Sequence, residues 1–458
     1  MPKAGKTSRS ANILSIQVKM PNCVRICDPA SRPCPPPLFP RMMQNTVKKV
    51  EGAEGSAISM VLQNKNILLG VSGGIAAYKA AELVRLLVKA GATVRVVMTK
   101  NAQEFITPLT LQSLSGNPVS TDTFDLTQES EIGHIRLADT ADLVLIAPAT
   151  ANILAKLAHG IADDLLSTLL LVTRAPVVLA PAMNVHMYAH PATQENLKTL
   201  QRFGHHIIEP AEGELACGYE GKGRLAEPEQ IVECVEATLT KKDLRGEHVI
   251  VTAGPNCEPI DPVRFITNRS TGKMGFALAR IARQRGAEVT LVSGPTALAA
   301  PFGVRLCSVR TALEMQQAVL AHYPRATIVV SAAAIADYRP AQTATQKIKK
   351  KDGDFSIPLA RNPDILAGLG QDKGSRLLVG FATETEDVLH NAERKLHSKN
   401  LDMIVANDVT QEGAGFAGDT NIVTLLDRTG QQEPLPLMSK DAVAHAVYDR
   451  LLALKRSP

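Results

Sequence analysis

Short apolar runs alternate with amphipathic segments from Lys65 onward. In the first half the runs are NILLGVS, TVRVVMT, DLVLIAPAT, APVVLAPAM and HHIIEP, and segments such as AAELVRLLVKAG and ATQENLKTLQRFG lie between them. Nearly continuous apolar runs are typical of strands buried on both faces, whereas the intervening segments have helical periodicity. The pattern predicts a parallel sheet covered by helices on both sides, ending with the helix EPEQIVECVEATL.

A polar stretch, TKKDLRGE (residues 240–247), separates this series from a second one. The second series contains the runs HVIVTAGP, AEVTLVSGP, ATIVVSAAAIADY, RLLVGFATET and DMIVAND, with helical segments such as GKMGFALARIARQRG and EDVLHNAERKLHSKN. A β-rich arm (KIKKKDGDFSIPL), a hairpin (TNIVTLLDRTGQQEPLPL) and a terminal helix complete it. We predict an α/β protein with two doubly wound, Rossmann-like domains, residues 60–242 and 243–458. No internal repeat is evident, which favours fusion over duplication.

The first 59 residues differ in composition from everything that follows. Residues 1–50 contain nine Lys or Arg, one acid (Asp28) and eight prolines, without apolar periodicity. Such a segment is not expected to fold alone. Cys23, Cys27 and Cys34 lack a fourth ligand at zinc-site spacing, so we do not expect a metal there. The segment is either a transit-like leader or an over-extended start before Met43 or Met60, and we favour the over-extended start.

Composition excludes several classes of function. The chain has a net charge of +5, of which the first 50 residues contribute +8 and the rest therefore −3, so no basic footprint for nucleic acid remains. No apolar run approaches the roughly 18 residues of a membrane span. Seven cysteines without regular pairing indicate a reducing compartment. We expect a cytoplasmic protein that binds neither nucleic acid nor membranes.

Small and polar residues follow the strands of the first half, where parallel sheets bind ligands. Each has an ordinary structural interpretation as a turn, a helix cap or a core side chain. A Ser-Gly-Gly turn before a helix is also suited to a phosphate, because small residues admit a ligand to free backbone N–H groups. The candidates are Ser72, Gly73, Gly74, Thr99, Ala147, Thr150, Asn152, Asn184, His134 and Cys217.

The combination GVSGGIAAYK, IGHIRLA, APATAN, APAMNVHM, HPATQENL and LACGYEGKGR resembles the flavin-dependent cysteine decarboxylases, specifically phosphopantothenoylcysteine decarboxylase. The resemblance implies a flavodoxin-like domain and FMN, whose phosphate would lie at Ser72-Gly73-Gly74. It further implies that His134 acts in the oxidative decarboxylation, that Asn184 holds the substrate carboxylate, and that Cys217 donates the final proton from a flap. The other candidates above would bind FMN.

The second half has a long loop, TAGPNCEPIDPVRFITNRSTGKMG, in which Ser270 or Thr271 is expected to cap the following helix. ADYRP places Asp337 at a strand end, and the lysine run KIKKK is by itself typical of a solvated face. Together with NPDIL, VGFATET, KNLDMIVAND and GFAGDTN, these motifs resemble phosphopantothenate–cysteine ligase of the CTP-using bacterial type. Asn256-Cys257 and Thr271 depart slightly from that family's pattern.

This second resemblance implies roles for individual residues. Lys347 would serve formation of an acyl-cytidylate, Asn268 its turnover, and Asp337 would contact CTP or Mg2+. CTP would also contact Ser331, Ala332, Ala333, Pro363, Asp364, Ile365, Leu366, Phe381, Lys395 and Lys399.

Decarboxylase followed by ligase is the order of bacterial bifunctional enzymes of coenzyme A biosynthesis. The resemblance implies 4'-phosphopantothenate, cysteine, CTP and phosphopantothenoylcysteine as substrates, and a homo-oligomer, specifically a dodecamer. Two alternatives remain open: a flavin enzyme acting on peptide cysteines or transferring prenyl groups to flavin, and a non-catalytic regulator that has kept the flavin fold. The ligase motifs argue against the first, and the presence of His134, Asn184 and Cys217 argues against the second.

Overall fold

The two predicted series form two parallel sheets in the structure, a computed structural model that describes residues 61–122, 133–214, 218–350, 355–384, 387–408, 415 and 418–456. The predicted α/β class with two doubly wound sheets is confirmed. The predicted leader, residues 1–59, lies outside the described residues.

The first sheet has six strands in the order β3-β2-β1-β4-β5-β6, and all its pairings are parallel. The strands are β1 (Asn66–Val71), β2 (Thr93–Met98), β3 (Val119–Ser120), β4 (Leu143–Ala149), β5 (Val177–Pro181) and β6 (His206–Ile207). Alternate side chains of β1 enter opposite cores, because Ile67 and Leu69 pack on one face and Leu68 on the other. Both faces are therefore covered, as the apolar runs predict.

Helices and one hairpin surround this sheet. The helices are α1 (Ala80–Lys89), α2 (Pro108–Ser115), α3 (Gly133–Thr140), α4 (Ala151–His159), α5 (Leu165–Val172), α6 (Val185–Ala189), α7 (Pro191–Arg202) and α8 (Pro228–Leu239); the hairpin pairs β7 (Ala211–Glu214) with β8 (Glu220–Arg224). The helix expected directly after Ser-Gly-Gly begins instead with a 3-10 turn, Ile75–Lys79, which leads into α1.

The second sheet has eight strands in the order β13-β12-β9-β14-β17-β18-β19-β20. These strands are β9 (His248–Ala253), β12 (Glu288–Ser293), β13 (Arg305–Ser308), β14 (Ile328–Ser331), β17 (Leu377–Glu384), β18 (Met403–Asp408), β19 (Thr420–Asp427) and β20 (Gln432–Ser439). Only the pairings of β19 are antiparallel, which confirms the predicted late hairpin.

The helices of this half are α9 (Lys273–Gln284), α10 (Ala312–His322), α11 (Ile365–Gln371), α12 (Val388–Ser398) and α13 (Lys440–Arg456). Two small antiparallel pairs stand beside the sheet: β10 (Cys257–Pro259) with β11 (Phe265–Thr267), and β15 (Tyr338–Pro340) with β16 (Leu359–Arg361). The first pair lies in a loop for which the sequence predicts no strand. Its turn forms because the Asp261 carboxylate accepts hydrogen bonds from the backbone N–H groups of Val263 and Arg264, at 2.9 and 2.8 Å.

The two halves contact each other through polar groups. The Gln284 amide of α9 donates to the Glu236 carboxylate of α8 at 3.3 Å, and the Phe302 N–H donates to Glu233 of α8, also at 3.3 Å. Burial raises the pKa of Glu233, and nearby Arg280 lowers it by less. The boundary between residues 242 and 243 stays a prediction.

In each sheet the strand order reverses beside the first strand of its series, between β1 and β4 and between β9 and β14. Clefts at the carboxyl ends of strands form at such points. Within the described ranges, no helix combines the length and apolar character that crossing a membrane requires.

Candidate active sites at two sheet edges

A cavity of about 1350 Å³ lies at the carboxyl edge of the first sheet. Six of the seven residues predicted to bind FMN line it: Ser72, Gly73, Gly74, Thr99, Thr150 and Asn152. Asn184, predicted to hold the substrate carboxylate, lines it as well. Ala147 differs, because it is fully buried within β4 and is not part of the cavity wall. The sequence therefore predicts where this cavity lies, and Ala147 is the one predicted FMN residue that the cavity wall does not include.

Ser72 joins the loops after β1 and β4. Its hydroxyl donates to the Pro148 carbonyl at 2.7 Å and accepts from the Thr150 N–H at 3.0 Å. Ser72 is 2% exposed. The Ser72 hydroxyl thus holds the two loops together at the base of the cavity. A ligand there would form its hydrogen bonds with the backbone and with neighbouring side chains.

Gly73 allows the loop after β2 to approach the turn closely. A Cβ atom at Gly73 would lie 2.4 Å from Asn101 Cβ and 2.7 Å from the Asn101 carbonyl carbon, whereas one at Gly74 would meet only Thr150 Cγ2, at 3.3 Å. Contacts below 3 Å force the backbone to move. Glycine is therefore required at position 73 and only favoured at position 74.

Thr99 carries an unpaired hydroxyl in the cavity wall. Its Oγ1 atom is buried, and no hydrogen-bond partner for it exists among the described residues. A buried hydroxyl without a partner is costly, so such groups are normally bonded. An unpaired donor beside a turn that admits no side chain fits a ligand rich in acceptor oxygens, such as a flavin phosphate.

Asn184 lies between β5 and α6, and its side chain accepts from the His186 N–H at 2.8 Å. The β7–β8 hairpin contacts this loop, because the Met183 N–H donates to the Gly223 carbonyl at 2.9 Å, and a Cβ at Gly223 would lie 2.3 Å from the Met183 oxygen. Gly218, at the hairpin tip, also lines the cavity. The predicted flap is thus an antiparallel hairpin against the Asn184 loop.

Two predicted catalytic residues are described incompletely or not at all. Cys217 lies outside the described residues and follows β7 in the sequence. His134 belongs to the first turn of α3, and only its backbone is described. Their roles stay predictions.

The sequence analysis did not identify a charged cluster on the same cavity wall. Lys156 of α4 lies 2.6 Å from Asp163 and 2.9 Å from Asp164. Burial would lower the pKa of Lys156, but its hydrogen bonds to the two carboxylates outweigh burial and raise it. The consecutive acids in ADDLLS were the available signal, since Asp164 also caps α5.

At the second sheet, the predicted residues gather at the β9–β14 switch point. Ala332 N–H donates to the Thr252 carbonyl at 3.2 Å, and Ala333 N–H donates to the Thr252 hydroxyl at 3.3 Å. The Asn268 amide donates to the Ala334 carbonyl at 2.9 Å. Ser331 ends β14 beside them, so the Asn268 loop is bonded directly to the SAAA segment.

The N-terminus of α9 adjoins this point through glycines. Gly254 and Gly272 have φ angles of 77° and 81°, and a Cβ at Gly275 would lie 2.5 Å from Ala253 Cβ. The helix has Gly272 as N-cap without a side-chain cap bond, so the predicted capping by Ser270 or Thr271 is wrong. The sequence analysis did not predict that the end of β9 and the start of α9 lie close together. Gly254 and Gly272, which meet there, are 18 residues apart in the sequence.

A lysine–carboxylate cluster forms one flank of the second edge. Asp364 caps α11 by accepting from the Ala367 N–H at 3.0 Å, and it lies 2.8 Å from the Lys399 ammonium. Burial would raise the pKa of Asp364, but the bond from Lys399 and the cap, together with the charge of Lys395, lower it.

The side chains of other predicted nucleotide contacts point elsewhere. Ile365 and Leu366 are buried in the core, so their side chains position the loop and do not face a ligand. Phe381 is half-buried against the opposite core, and Pro363 is half-buried beside Asp364.

Lys347 is exposed, and the next residue anchors its segment. Ile348 N–H donates to Asp261 Oδ2 at 3.1 Å, and its carbonyl accepts from Arg264 at 3.1 Å. The bond from Arg264 holds the pKa of the buried Asp261 carboxyl well below its usual range. Among the described residues of the predicted β-rich arm, 347–350 and 355–359, only Leu359 lies in a strand, as the first residue of β16.

Asp337 is also exposed, and its carbonyl accepts from the Asn362 N–H at 2.8 Å. The described residues contain no group of three or more His, Cys, Asp or Glu side chains arranged to hold a metal. The assignment of Asp337 to Mg2+ stays a prediction.

Comparison with known proteins gives matches to both halves. A Flavoprotein family model matches residues 56–240, and the model "DNA/pantothenate metabolism flavoprotein C-terminal domain" matches residues 244–454. The chain is 53% identical to the coenzyme A biosynthesis bifunctional protein of Bacillus subtilis over 86% of this chain and 98% of that one. It is 48% identical to the Escherichia coli protein of the same name, again over 86% and 98%. A solved C-terminal domain of such a protein aligns at 42% identity and a TM-score of 0.42, covering 48% of this chain and all of that one.

Proposed function

The chain belongs to the family of coenzyme A biosynthesis bifunctional proteins, and we propose which reaction takes place at each of its two sheet edges. It is a bifunctional enzyme, a phosphopantothenoylcysteine decarboxylase and a phosphopantothenate–cysteine ligase. The ligase step produces the substrate of the decarboxylase. We assign decarboxylation to residues 60–242 and ligation to residues 243–458.

The cavity of the first half binds FMN. The observation that supports this best is the buried, unpaired Thr99 hydroxyl beside the Gly73 turn, because a phosphate would supply the missing acceptor. Gly74 and the N–H groups that follow it would bind the same phosphate, and Thr150 and Asn152 would contact the rest of the cofactor. FMN when bound supplies the electron sink that a carboxylate next to a thiol-bearing carbon lacks.

The side chains of the first half hold the substrate and move its protons. Asn184 binds the substrate carboxylate from the start of α6, His134 acts in the oxidative step, and Cys217 returns a proton at the end. The β7–β8 hairpin, between whose strands Cys217 lies in the sequence, would exclude water from the cavity.

The second half activates the carboxylate of 4'-phosphopantothenate with CTP. A carboxylate oxygen attacks the α-phosphorus, pyrophosphate leaves, and the cysteine amine then attacks the acyl carbon, loses a proton and expels CMP. The cation of Lys347 offsets charge in the first attack, and Asn268 serves the second. The phosphates lie at the N-terminus of α9, where helix N–H groups bind anions.

Other residues of this edge bind the nucleotide. Lys395, Lys399 and Phe381 hold it together with the backbone of residues 331–333 and 363–366. Asp337 would be the protein ligand of a Mg2+ bound with the phosphates, since magnesium in such sites combines one or two carboxylates with phosphate oxygens. We also propose that the enzyme is a cytoplasmic homo-oligomer, a dodecamer.

The test is an assay of the purified full chain. The preparation should be yellow, and with phosphopantothenate, cysteine and CTP it should release pyrophosphate and CO2, whereas ATP should replace CTP poorly. A folded protein without flavin, or one that consumes no nucleotide, would contradict the assignment of the corresponding half.

The roles in the first half are separated by two variants. With phosphopantothenoylcysteine, Cys217→Ser should release CO2 and lose its visible flavin absorbance, because a hydroxyl is a much weaker acid than a thiol of pKa about 8.5. His134→Asn should stay yellow and release no CO2. Cys234→Ala is the matched control, since burial raises the pKa of Cys234 to about 12 and it packs in α8. Identical flavin spectra for the first two variants would refute the division of roles.

A further inference from the structure

A buried polar network connects the loops that carry the proposed ligase residues. Its members are Asn256, Glu258 and Asn362, of which Asn256 is 0% and Glu258 1% exposed. Glu258 Oε1 accepts from the Asn256 amide, from the Ala312 N–H at 2.8 Å and from the Asn362 amide at 3.3 Å. Within the described part of the chain, the Glu258 carboxylate forms no ion pair with Lys, Arg or His.

The two amides of this network bond to the backbone next to each proposed site segment. Asn256 Oδ1 accepts from the Ala336 N–H at 2.7 Å, and the Asn256 carbonyl accepts from the Thr267 hydroxyl at 2.8 Å. The Asn362 amide donates to the Ala336 carbonyl at 2.8 Å. The network therefore reaches the neighbours of Asn268, Asp337 and Pro363.

Burial of an ionised carboxylate without a cation is costly unless several N–H donors bond to it. Glu258 has three such donors, and one of them belongs to the N-terminus of α10, where the helix dipole favours negative charge. The donors come from three separate segments of the chain, near residues 256, 312 and 362. A charge held in this way resists any change in the spacing of those segments.

We propose that Glu258 is a positioning residue of the ligase site, which acts through Asn256 and Asn362. It fixes the distances between the segments of Asn268, Asp337 and Pro363, and so aligns the acyl carbon with the incoming amine. The inference rests on the proposed location of the ligase reaction at this edge. It adds residues that touch neither substrate nor nucleotide, and that neither the motifs nor the comparisons assign.

Three of the proposed nucleotide contacts lie outside this network. Phe381 belongs to β17, Lys395 to α12, and Lys399 follows the end of α12, whereas the hydrogen bonds of Glu258 go to residues 256, 312 and 362. Because Lys395, Lys399 and Phe381 keep their places, loss of alignment should lower kcat far more than it raises the KM for CTP. A misplacement of about 1 Å commonly costs on the order of 100-fold in rate.

The test uses the full chain with the variants Glu258→Gln and Asn362→Leu. Each should lower ligase kcat by roughly 10- to 100-fold at 15 °C, with the KM for CTP within about threefold of wild type. The kcat of the double variant should be no lower than that of the less active single variant, because both changes break one network. Decarboxylation of supplied phosphopantothenoylcysteine should be unchanged in all of them.

Asp402→Asn is the matched control. Asp402 is an equally buried carboxylate in the same half, bonded to Lys373, Arg428 and the Leu378 N–H at the opposite edge of the sheet. This variant should lower the unfolding temperature and leave ligase kcat at 15 °C unchanged.

Three results would overturn the proposal. They are a Glu258→Gln enzyme that melts lower but keeps its kcat, a double variant whose losses multiply, and a loss of rate through KM alone. If Glu258→Gln does not fold, Asn362→Leu at the half-buried end of the network decides by the same criteria. Failure of the wild type to consume CTP would instead refute the proposed function.

Discussion

Replacement of the Thr99 hydroxyl by a methyl group should have opposite effects on the flavin-free and flavin-bound protein. Thr99→Val keeps the size and branching of the side chain, and position 99 has extended backbone angles that valine accepts. In the flavin-free protein the change removes a buried hydroxyl for which the described residues provide no partner. Unpaired buried groups cost about 1–3 kcal/mol, so this form should become more stable by up to that amount.

With flavin bound the same change removes a hydrogen bond to the cofactor. A bond to a charged acceptor contributes about 1.5–3 kcal/mol, which corresponds to a loss of affinity of about 10- to 150-fold. Stability is measured by thermal unfolding of the flavin-stripped protein, where about 1 kcal/mol shifts Tm by roughly 2–4 °C in a unit of this size. Affinity is measured by quenching of flavin fluorescence.

Thr93→Val is the control, because Thr93 is an exposed threonine of the adjoining strand β2. It should change the dissociation constant for FMN by less than about twofold, since exposed substitutions away from a site alter free energies by less than about 0.5 kcal/mol. A Thr99→Val protein that binds FMN as tightly as wild type, or whose flavin-free form is less stable, would refute the assignment of the Thr99 hydroxyl to the cofactor.

The remaining predictions concern both edges. Gly73→Ala should abolish flavin retention after gel filtration while Gly74→Ala largely keeps it, because only the first Cβ would contact backbone below 3 Å; equal retention would contradict the steric argument. In quenched reactions, mass spectrometry should detect phosphopantothenoyl-CMP accumulating with Asn268→Asp and none with Lys347→Gln, since loss of one preorganised donor commonly slows a step about 100-fold or more; the intermediate in the lysine variant would reverse these roles. The lowered pKa of Asp364 implies stabilisation that is present above about pH 4 and lost as the pH falls through the folded-state pKa; Asp364→Asn should remove that part of the pH dependence in urea unfolding, and an unchanged profile would contradict it.

Periodicity predicted the sheets well because buried parallel strands are nearly continuous apolar runs. The strand β13 was missed for the same reason: its sequence RLCS has two exposed residues at its start and lies at the sheet edge, so it carries no apolar run. The β10–β11 pair was missed because the Asp261 carboxylate, not a hydrophobic pattern, forms its turn.

The candidate sites were predicted unevenly. Loops after strands located the first cavity, since the carboxyl ends of parallel strands meet at one edge. The contacts of Gly73 with Asn101 and of Gly223 with Met183 join segments 28 and 40 residues apart, and no local pattern encodes such approaches. The side chains of Ile365 and Leu366 complete the core beneath their loop, so their predicted contact with a nucleotide would come from the backbone and stays a prediction.

The Thr99 hydroxyl at the first edge and the Glu258 carboxylate at the second edge differ in how they are bonded, and we relate this difference to what each edge binds. At the first edge a buried hydroxyl has no described partner, which suits a cofactor that stays bound and completes the folded structure. At the second edge three separate segments donate to one oxygen of the Glu258 carboxylate. Substrates that enter and leave in each cycle cannot supply missing hydrogen bonds in the free enzyme, so alignment there has to come from the protein itself. Removing flavin should therefore destabilise the first half, whereas the second half should keep its geometry without nucleotide.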